Sequence, residues 1–411
     1  MKTFKVLITM MFVVLVSTGL LFASGQQETE DNNEKVLKLV GWSTTPQEKE
    51  YVQSRIDLFE AENPDVKIEW EVLTNEYNET LQIQIASGKG PDVFYLDASW
   101  ASMFIDNGAL QPIDQYVDES VIDSFYPSTL DAFRSSTDIY GLAKDMNTLV
   151  LYYDAAAFEK YGMEVPTTWD ELEETATAFA NKDEYEAGIV LRTDFPRFYP
   201  FILQNGGTIL DSDGNPNWND PAVVEAFDFY FNDLIGSGAA KTNKDFNGEN
   251  EGALTTKKVP MMISGGWATG YLKENGADID WVMTKLPAGK TEHTVLFTVA
   301  YVMNKNAKNP EIGARFINFM TNEKSQRMVV DSGLAVPTRK AVADYYIEKN
   351  PLFGANPEQA QNATVYNLGV HTPKIAELMG EAGDKIRLKG LSAKDALAEA
   401  TQEYNEYIDT L

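Results

Sequence analysis

Between residues 36 and 97 the hydrophobic pattern switches repeatedly between the period of a strand and that of a helix, and this alternation narrows the possible folds more than any other feature. Val36, Leu37, Leu39 and Val40 form a short apolar run that ends at Gly41-Trp42-Ser43, which predicts a buried strand running into a loop. Thr45 and Glu48 then have capping-box spacing, with Pro46 at the first helical position. Tyr51, Val52, Ile56 and Phe59 line one helical face before Asn63-Pro64 stops it. Val66, Ile68, Trp70 and Val72 alternate with Lys67, Glu69 and Glu71, the signature of a half-buried strand. An amphipathic segment from Leu81 to Ala86 ends at Gly88-Lys-Gly-Pro91, and Val93 to Leu96 predicts a third strand entering Asp97-Ala-Ser-Trp100. Strands separated by helices require crossover connections, so the chain is expected to be α/β.

The same style continues downstream. Thr168 and Glu171 form a second capping box for a helix through Leu172, Ala176 and Phe179, and Asn219-Asp-Pro221 opens a helix whose face is Val224, Phe227, Phe231 and Leu234. Val259 to Ile263 reads as a strand breaking into Ser264-Gly-Gly-Trp267, and Leu296 to Met303 as another apolar run. A helix through Ile312, Phe316, Phe319 and Met320 follows Asn309-Pro310, and a last one runs from its cap Ser392 through Leu397, Ala400, Tyr404 and Ile408. At roughly 100–200 residues per domain, a chain of 411 residues is expected to hold two or three domains, and two α/β lobes fit the elements best.

Composition removes whole classes of function. The 62 acidic side chains against 34 basic ones give a net charge of −28, which opposes binding to nucleic acid or to anionic membranes. There is no cysteine, so disulfides, thiolate metal sites and a catalytic thiol are impossible. His293 and His371 cannot between them build a multi-histidine zinc site. At the N-terminus, Lys2 and Lys5 precede an apolar run from Val6 to Phe22 and the small residues Ala23, Ser24 and Gly25, which predicts a signal peptide over 1–25; the alternative is a retained anchor. No cysteine stands there to accept a lipid. Residues 26–35 are expected to be a polar tether.

In open α/β sheets ligands bind beyond the carboxyl ends of the strands. Trp42, then Asp97 with Trp100, then Trp267 follow strands in this way. An aromatic face complements the apolar face of a pyranose, and Asp or Asn side chains bind its hydroxyls. Asp211-Ser-Asp-Gly-Asn215 lacks the acids of a calcium loop and reads as a β-turn. The Gly206-Gly207 and Gly265-Gly266 pairs lack a phosphate-loop context. Paired carboxylates such as Glu173-Glu174 and Asp118-Glu119 are expected among so many acids and read as solvated faces.

Taken together, Gly41-Trp42, Phe59-Glu-Ala-Glu-Asn-Pro64, Val66-Lys-Ile68, Ile85-Ala-Ser-Gly88, Gly90-Pro-Asp-Val-Phe-Tyr-Leu-Asp97, Asn107-Gly-Ala-Leu-Gln-Pro112 and Tyr140-Gly-Leu-Ala-Lys-Asp145 resemble the family 1 extracellular solute-binding proteins of bacterial sugar ABC importers. The likeness continues through Leu151-Tyr-Tyr-Asp154, Val165-Pro-Thr-Thr-Trp-Asp-Glu-Leu172, Met262-Ile-Ser-Gly-Gly-Trp267 and Leu334-Ala-Val-Pro-Thr-Arg339. The resemblance implies a type II-like periplasmic binding fold, two α/β lobes joined by a multi-crossing hinge with a ligand cleft between them. The lobes would be 36–145 with 303–341 and 148–298 with 346–411. It implies a periplasmic, monomeric carbohydrate receptor that does no chemistry, uses no cofactor, binds no nucleic acid and delivers its ligand to an ABC permease. The implied ligand-binding residues are Trp42, Ser43, Tyr77, Asp97, Trp100, Asp145, Asn147, Ser264, Gly265, Trp267 and Thr298. Ala143 stands where the family often has proline, which would loosen a loop presenting Asp145. Two rivals remain: a secreted glycoside hydrolase, and a receptor for a polyol or glycerol-phosphate-type solute, for which Arg192, Arg197 and Arg339 are the candidate cations.

Overall fold

The computed structural model describes residues 35–411 except 44–45, 75, 334 and 352–353. The expected signal peptide, most of the expected tether and the Thr45 half of the first capping box lie outside these residues. Eleven strands form the frame: β1 (Lys35–Gly41), β2 (Val66–Val72), β3 (Val93–Asp97), β4 (Leu110–Gln111), β5 (Gly141–Asp154), β6 (Ile189–Leu191), β7 (Ala240–Thr242), β8 (Met261–Gly265), β9 (Trp281–Thr284), β10 (Thr294–Asn304) and β11 (Ala363–Val365). Lys35, the last residue of the expected tether, belongs to β1 and pairs with Val66.

The main path of pairing is β2-β1-β3-β10-β5-β8-β6-β7. β1 is parallel to β2 and β3, as their crossover helices α1 (Pro46–Glu62) and α2 (Tyr77–Ala86) require. β10 runs antiparallel to both β3 and β5. β5 is the long element of the molecule, with 14 residues, and it changes partner midway. Its first half, Gly141 to Thr148, pairs with β10; its second half, from Leu149, pairs with β8 and β9.

Two of the apolar cores along this path matter for the cleft. One gathers Leu39, Phe59, Tyr95, Leu142, Ala143, Tyr301 and Phe316. The other gathers Leu149, Leu151, Phe198, Trp218, Phe227, Phe231 and Leu397. β5 therefore contributes to both, Leu142 and Ala143 to the first and Leu149 and Leu151 to the second, while its Met146, Val150 and Tyr152 belong to a third core. Trp218 is fully buried against Tyr404; removing so large a side chain leaves a cavity costing about 3–5 kcal/mol.

Local expectations are met where the signal is capping chemistry. Thr168 accepts from the Glu171 backbone while Glu171 reaches back to Thr168, starting the helix Trp169–Ala180. Ser392 accepts from Asp395 N at the start of Ala393–Ile408. Asp211 takes the backbone N–H of Asp213 and Asn215, the turn expected of that segment. The helix opened by Asp220 departs from the sequence reading, because it widens into a π-helix over Asp228–Gly236. In the α-helical part, Pro221–Phe227, Val223 is buried and Val224 only half-buried, and the π segment buries Phe229 and Tyr230 beside Phe231 and Leu234. No helix among the described residues is long and apolar enough to cross a membrane.

Candidate functional site

Where β5 passes from one core to the other, a cleft of about 470 Å³ opens. One wall is built from the ends of β1 and β3. Trp42 follows β1 and is held edge-on by Tyr77 at 4.8 Å and Tyr95 at 5.3 Å. The Tyr77 hydroxyl is spent on the carbonyl of Tyr95 at 2.8 Å, so Tyr77 supports Trp42 from behind and does not line the cleft. Asp97, the last residue of β3, caps α3 (Ala98–Asp106) by accepting from Ser99 N at 2.9 Å, and still faces the cleft. Burial raises its carboxyl above the ordinary range, partly offset by the bonds from Ser99. Trp100, one helical turn on, is turned away and packs on the core side of β3.

The opposite wall comes from the β8 turn and from the segment around Asp194. Trp267 lies against the backbone of Gly265: a Cβ there would fall 2.2–2.5 Å from three consecutive ring atoms, which only glycine permits. Phe297 meets the indole edge at 5.6 Å, and the Arg197 guanidinium sits over it at 4.6 Å. Arg192 and Arg197 share one carboxylate, Asp194, at 2.7 and 3.3 Å. Burial lowers the pKa of Arg197 and Asp194 opposes this. Ser264 donates to Glu251 at 2.9 Å; Glu251 lines the cleft and Ser264 stands behind it.

The floor is β5. Asp145 and Asn147 both face the cavity, and Asn147 Oδ1 is buried with no hydrogen-bond partner among the described residues. A Cβ on Gly266 would lie 2.4 Å from that oxygen, so the glycine lets the turn close over it. Lys144 is ion-paired with Asp145. The segment expected to be a loop is strand, with Ala143 wholly buried and its carbonyl bonded to Thr338 at 2.7 Å, so proline is not needed to hold it. Thr298 is also buried, and its hydroxyl donates to the Asp145 carbonyl at 2.8 Å. Beside the floor, Tyr51 accepts from Arg55 at 3.0 Å, and burial pushes its phenol up to about 12.

Of the residues singled out from sequence, the fold thus brings Trp42, Asp97, Asp145, Asn147 and Trp267 to the cleft surface. Ser43, Tyr77, Trp100, Ser264, Gly265 and Thr298 are outside its lining, several of them directly behind a lining residue. Arg192 and Arg197 line it as well, whereas Arg339 spends its guanidinium on Thr321, Val121 and Ser124. Sequence reasoning missed Glu48, Tyr51, Lys144, Glu251 and Phe297 as cleft residues. Lys144-Asp145 stand in the sequence as a charged pair between the apolar Leu142-Ala143 and Met146, which marks the pair as unusual without placing it in a cleft. No group of acids and histidines able to hold a metal occurs among the described residues.

Residues 41–327 match the model of the bacterial extracellular solute-binding protein family, most of the chain. The chain belongs to that family. Its members are exported binding proteins. This solute-binding protein is 25% identical to the maltotriose-binding protein of Pyrococcus abyssi over 368 residues, 86% of this chain and 77% of that one. The fold agrees with an ABC substrate-binding protein of Listeria monocytogenes solved with cycloalternan, with a TM-score of 0.84, 21% identity and coverage of 92% of this chain and 99% of that one. A Mycobacterium tuberculosis protein bound to glycerophosphocholine has the same architecture, with a TM-score of 0.80, 18% identity and coverage of 90% and 98%.

Proposed function

We propose that this solute-binding protein is the carbohydrate receptor of an ABC importer, capturing a sugar or oligosaccharide by closing two lobes on it and handing it to a membrane permease. The observation that carries the reading is the composition of the cleft. Two indoles from opposite walls, Trp42 and Trp267, stand beside Asp97, Asp145, Asn147 and Glu251, the aromatic faces and hydrogen-bonding groups that a neutral polyhydroxylated ring engages. The maltotriose-binding relative supports the same class of ligand. The lobes are 36–145 with 303–341 and 148–298 with 346–411; the change of partner along β5 at Thr148–Leu149 supports that division. Residues 1–25 are the export signal, and the receptor works in the periplasm as a monomer. Ligand contacts from both lobes would shift the population toward a closed form that the permease recognises.

The two arginines over Asp194 favour a second reading, a phosphorylated or other anionic solute. The carboxylates of Glu48, Asp97, Asp145 and Glu251 in the same cleft oppose it. Tryptophan fluorescence and melting temperature measured against a panel of neutral saccharides, polyols and their phosphates, with product analysis of each hit, separate the possibilities. A saturable shift with intact neutral sugar is expected. A response confined to phosphorylated solutes would establish the second reading, and breakdown of the sugar would make the protein a glycoside hydrolase.

A further inference from the structure

The register of β5 against β10 breaks at one place. Val299 pairs with Asp145 and the next residue, Ala300, with Ala143, which leaves Lys144 as the additional residue of a β-bulge. In a regular strand neighbouring side chains point to opposite faces; a bulge turns two consecutive ones the same way. Lys144 and Asp145 therefore both line the cleft and form an ion pair through Asp145 Oδ2, with the ammonium also over the Tyr95 ring at 5.3 Å. The side chains are 4% and 12% exposed, so the pair is shielded from solvent and from salt.

The bulge is firmly held. Three consecutive carbonyls each accept a hydrogen bond from a different, fully buried side chain: Ala143 from Thr338 at 2.7 Å, Lys144 from Gln326 at 2.7 Å, and Asp145 from Thr298 at 2.8 Å. Gln326 in turn accepts from Thr338 N at 2.7 Å, joining two of the three supports.

We propose that Lys144 is a positioning residue for ligand capture: placed beside Asp145 by the bulge, it fixes that carboxylate through Oδ2 and leaves Oδ1 to accept a ligand hydroxyl. The inference rests on the carbohydrate reading. Lys144 acts on the ligand through Asp145 and would matter little once Asp145 is gone.

The test is a double-mutant cycle by calorimetry with whichever saccharide the wild-type protein binds. Lys144→Met and Asp145→Asn should each weaken binding by about tenfold or more, as expected for breaking a buried charge pair at a binding site. The double variant should bind within about twofold of Asp145→Asn alone, because coupled residues do not add. Thr338→Val removes a support that does not itself line the cleft; it should weaken the same sugar severalfold and keeps the test open should Lys144→Met not fold. Additive losses, or wild-type affinity in Lys144→Met or in Thr338→Val, would overturn the proposal. Wild-type affinity in Asp145→Asn would overturn it too while leaving the carbohydrate reading intact. Absence of any saccharide binding by the wild-type protein would remove the reading itself.

Discussion

Trp267 and Asp97 show how differently two side chains of one cleft are maintained. Trp267 is wedged between the backbone of Gly265, the Phe297 ring and the Arg197 guanidinium, all of them favourable contacts for an indole. Replacing it with alanine should weaken saccharide binding by roughly tenfold, the scale of a lost aromatic stack, with the protein still folded by circular dichroism. Unchanged affinity with a lower melting temperature would reassign Trp267 to the core. Asp97 is instead kept at a cost. Burial raises its carboxyl above the ordinary 3.8, and an acid raised in the folded state contributes stability below its unfolded pKa and loses it as pH rises through the folded one. Asp97→Asn keeps the cap on Ser99, since asparagine also accepts there. It should raise the melting temperature near neutral pH, with the gain shrinking toward about pH 4 as the wild-type carboxyl protonates. A gain that persisted unchanged at acid pH would contradict this. Sugar affinity should fall in the same variant, the usual conflict between stability and a functional buried charge.

At the scale of elements, capping and glycine fit do separate jobs and can be separated by mutation. Thr168→Ala breaks a capping box on the helix Trp169–Ala180, away from the cleft. Denaturant unfolding should show a loss of about 1 kcal/mol, with ligand affinity unchanged. Gly265→Ala places a methyl group inside the Trp267 ring contact. It should reduce saccharide affinity more than Thr168→Ala does at comparable stability, and equal affinity in the two variants would show that Trp267 can re-seat without consequence. The elements also differ in how legible they were. β2 shows in the sequence because one face is wet, and its buried and exposed residues alternate. β5 does not, because it is buried on both faces from Gly141 to Tyr152 and carries Lys144, Asp145, Asn147 and Thr148 within that stretch. Pattern alone has no reason to place charged residues in a central strand; only the β10 pairing and the bulge accommodate them.

For the whole molecule, β5 and β10 contribute to both cores beside the cleft, and in the proposed receptor a ligand touching both walls would change the overall shape. Small-angle scattering should therefore show a smaller radius of gyration on saturation with the bound saccharide, and no change with a sugar that leaves the tryptophan fluorescence unaltered; a constant radius on saturation would argue against closure. The sequence by itself determined the fold class, because the alternation of periods admits crossover helices and little else, and its ordered motifs indicated the family. It also determined the absence of thiol chemistry, and it placed Trp42, Asp97 and Trp267 at strand ends where an α/β sheet offers sites. Only the tertiary structure decided which side chains share the cleft. Thr298 and Ser264 spend their hydroxyls on the lining residues Asp145 and Glu251, and Tyr77 spends its own on the Tyr95 carbonyl while its ring packs on Trp42, whereas Tyr51, Lys144 and Glu251 reach the cleft from a helix, a bulge and a second, distant helix. The physical reason is range. Capping and periodicity are set by neighbours within a turn or two of chain, whereas the cleft is assembled by strand register and by packing between residues over a hundred positions apart, such as Asp145 and Thr298.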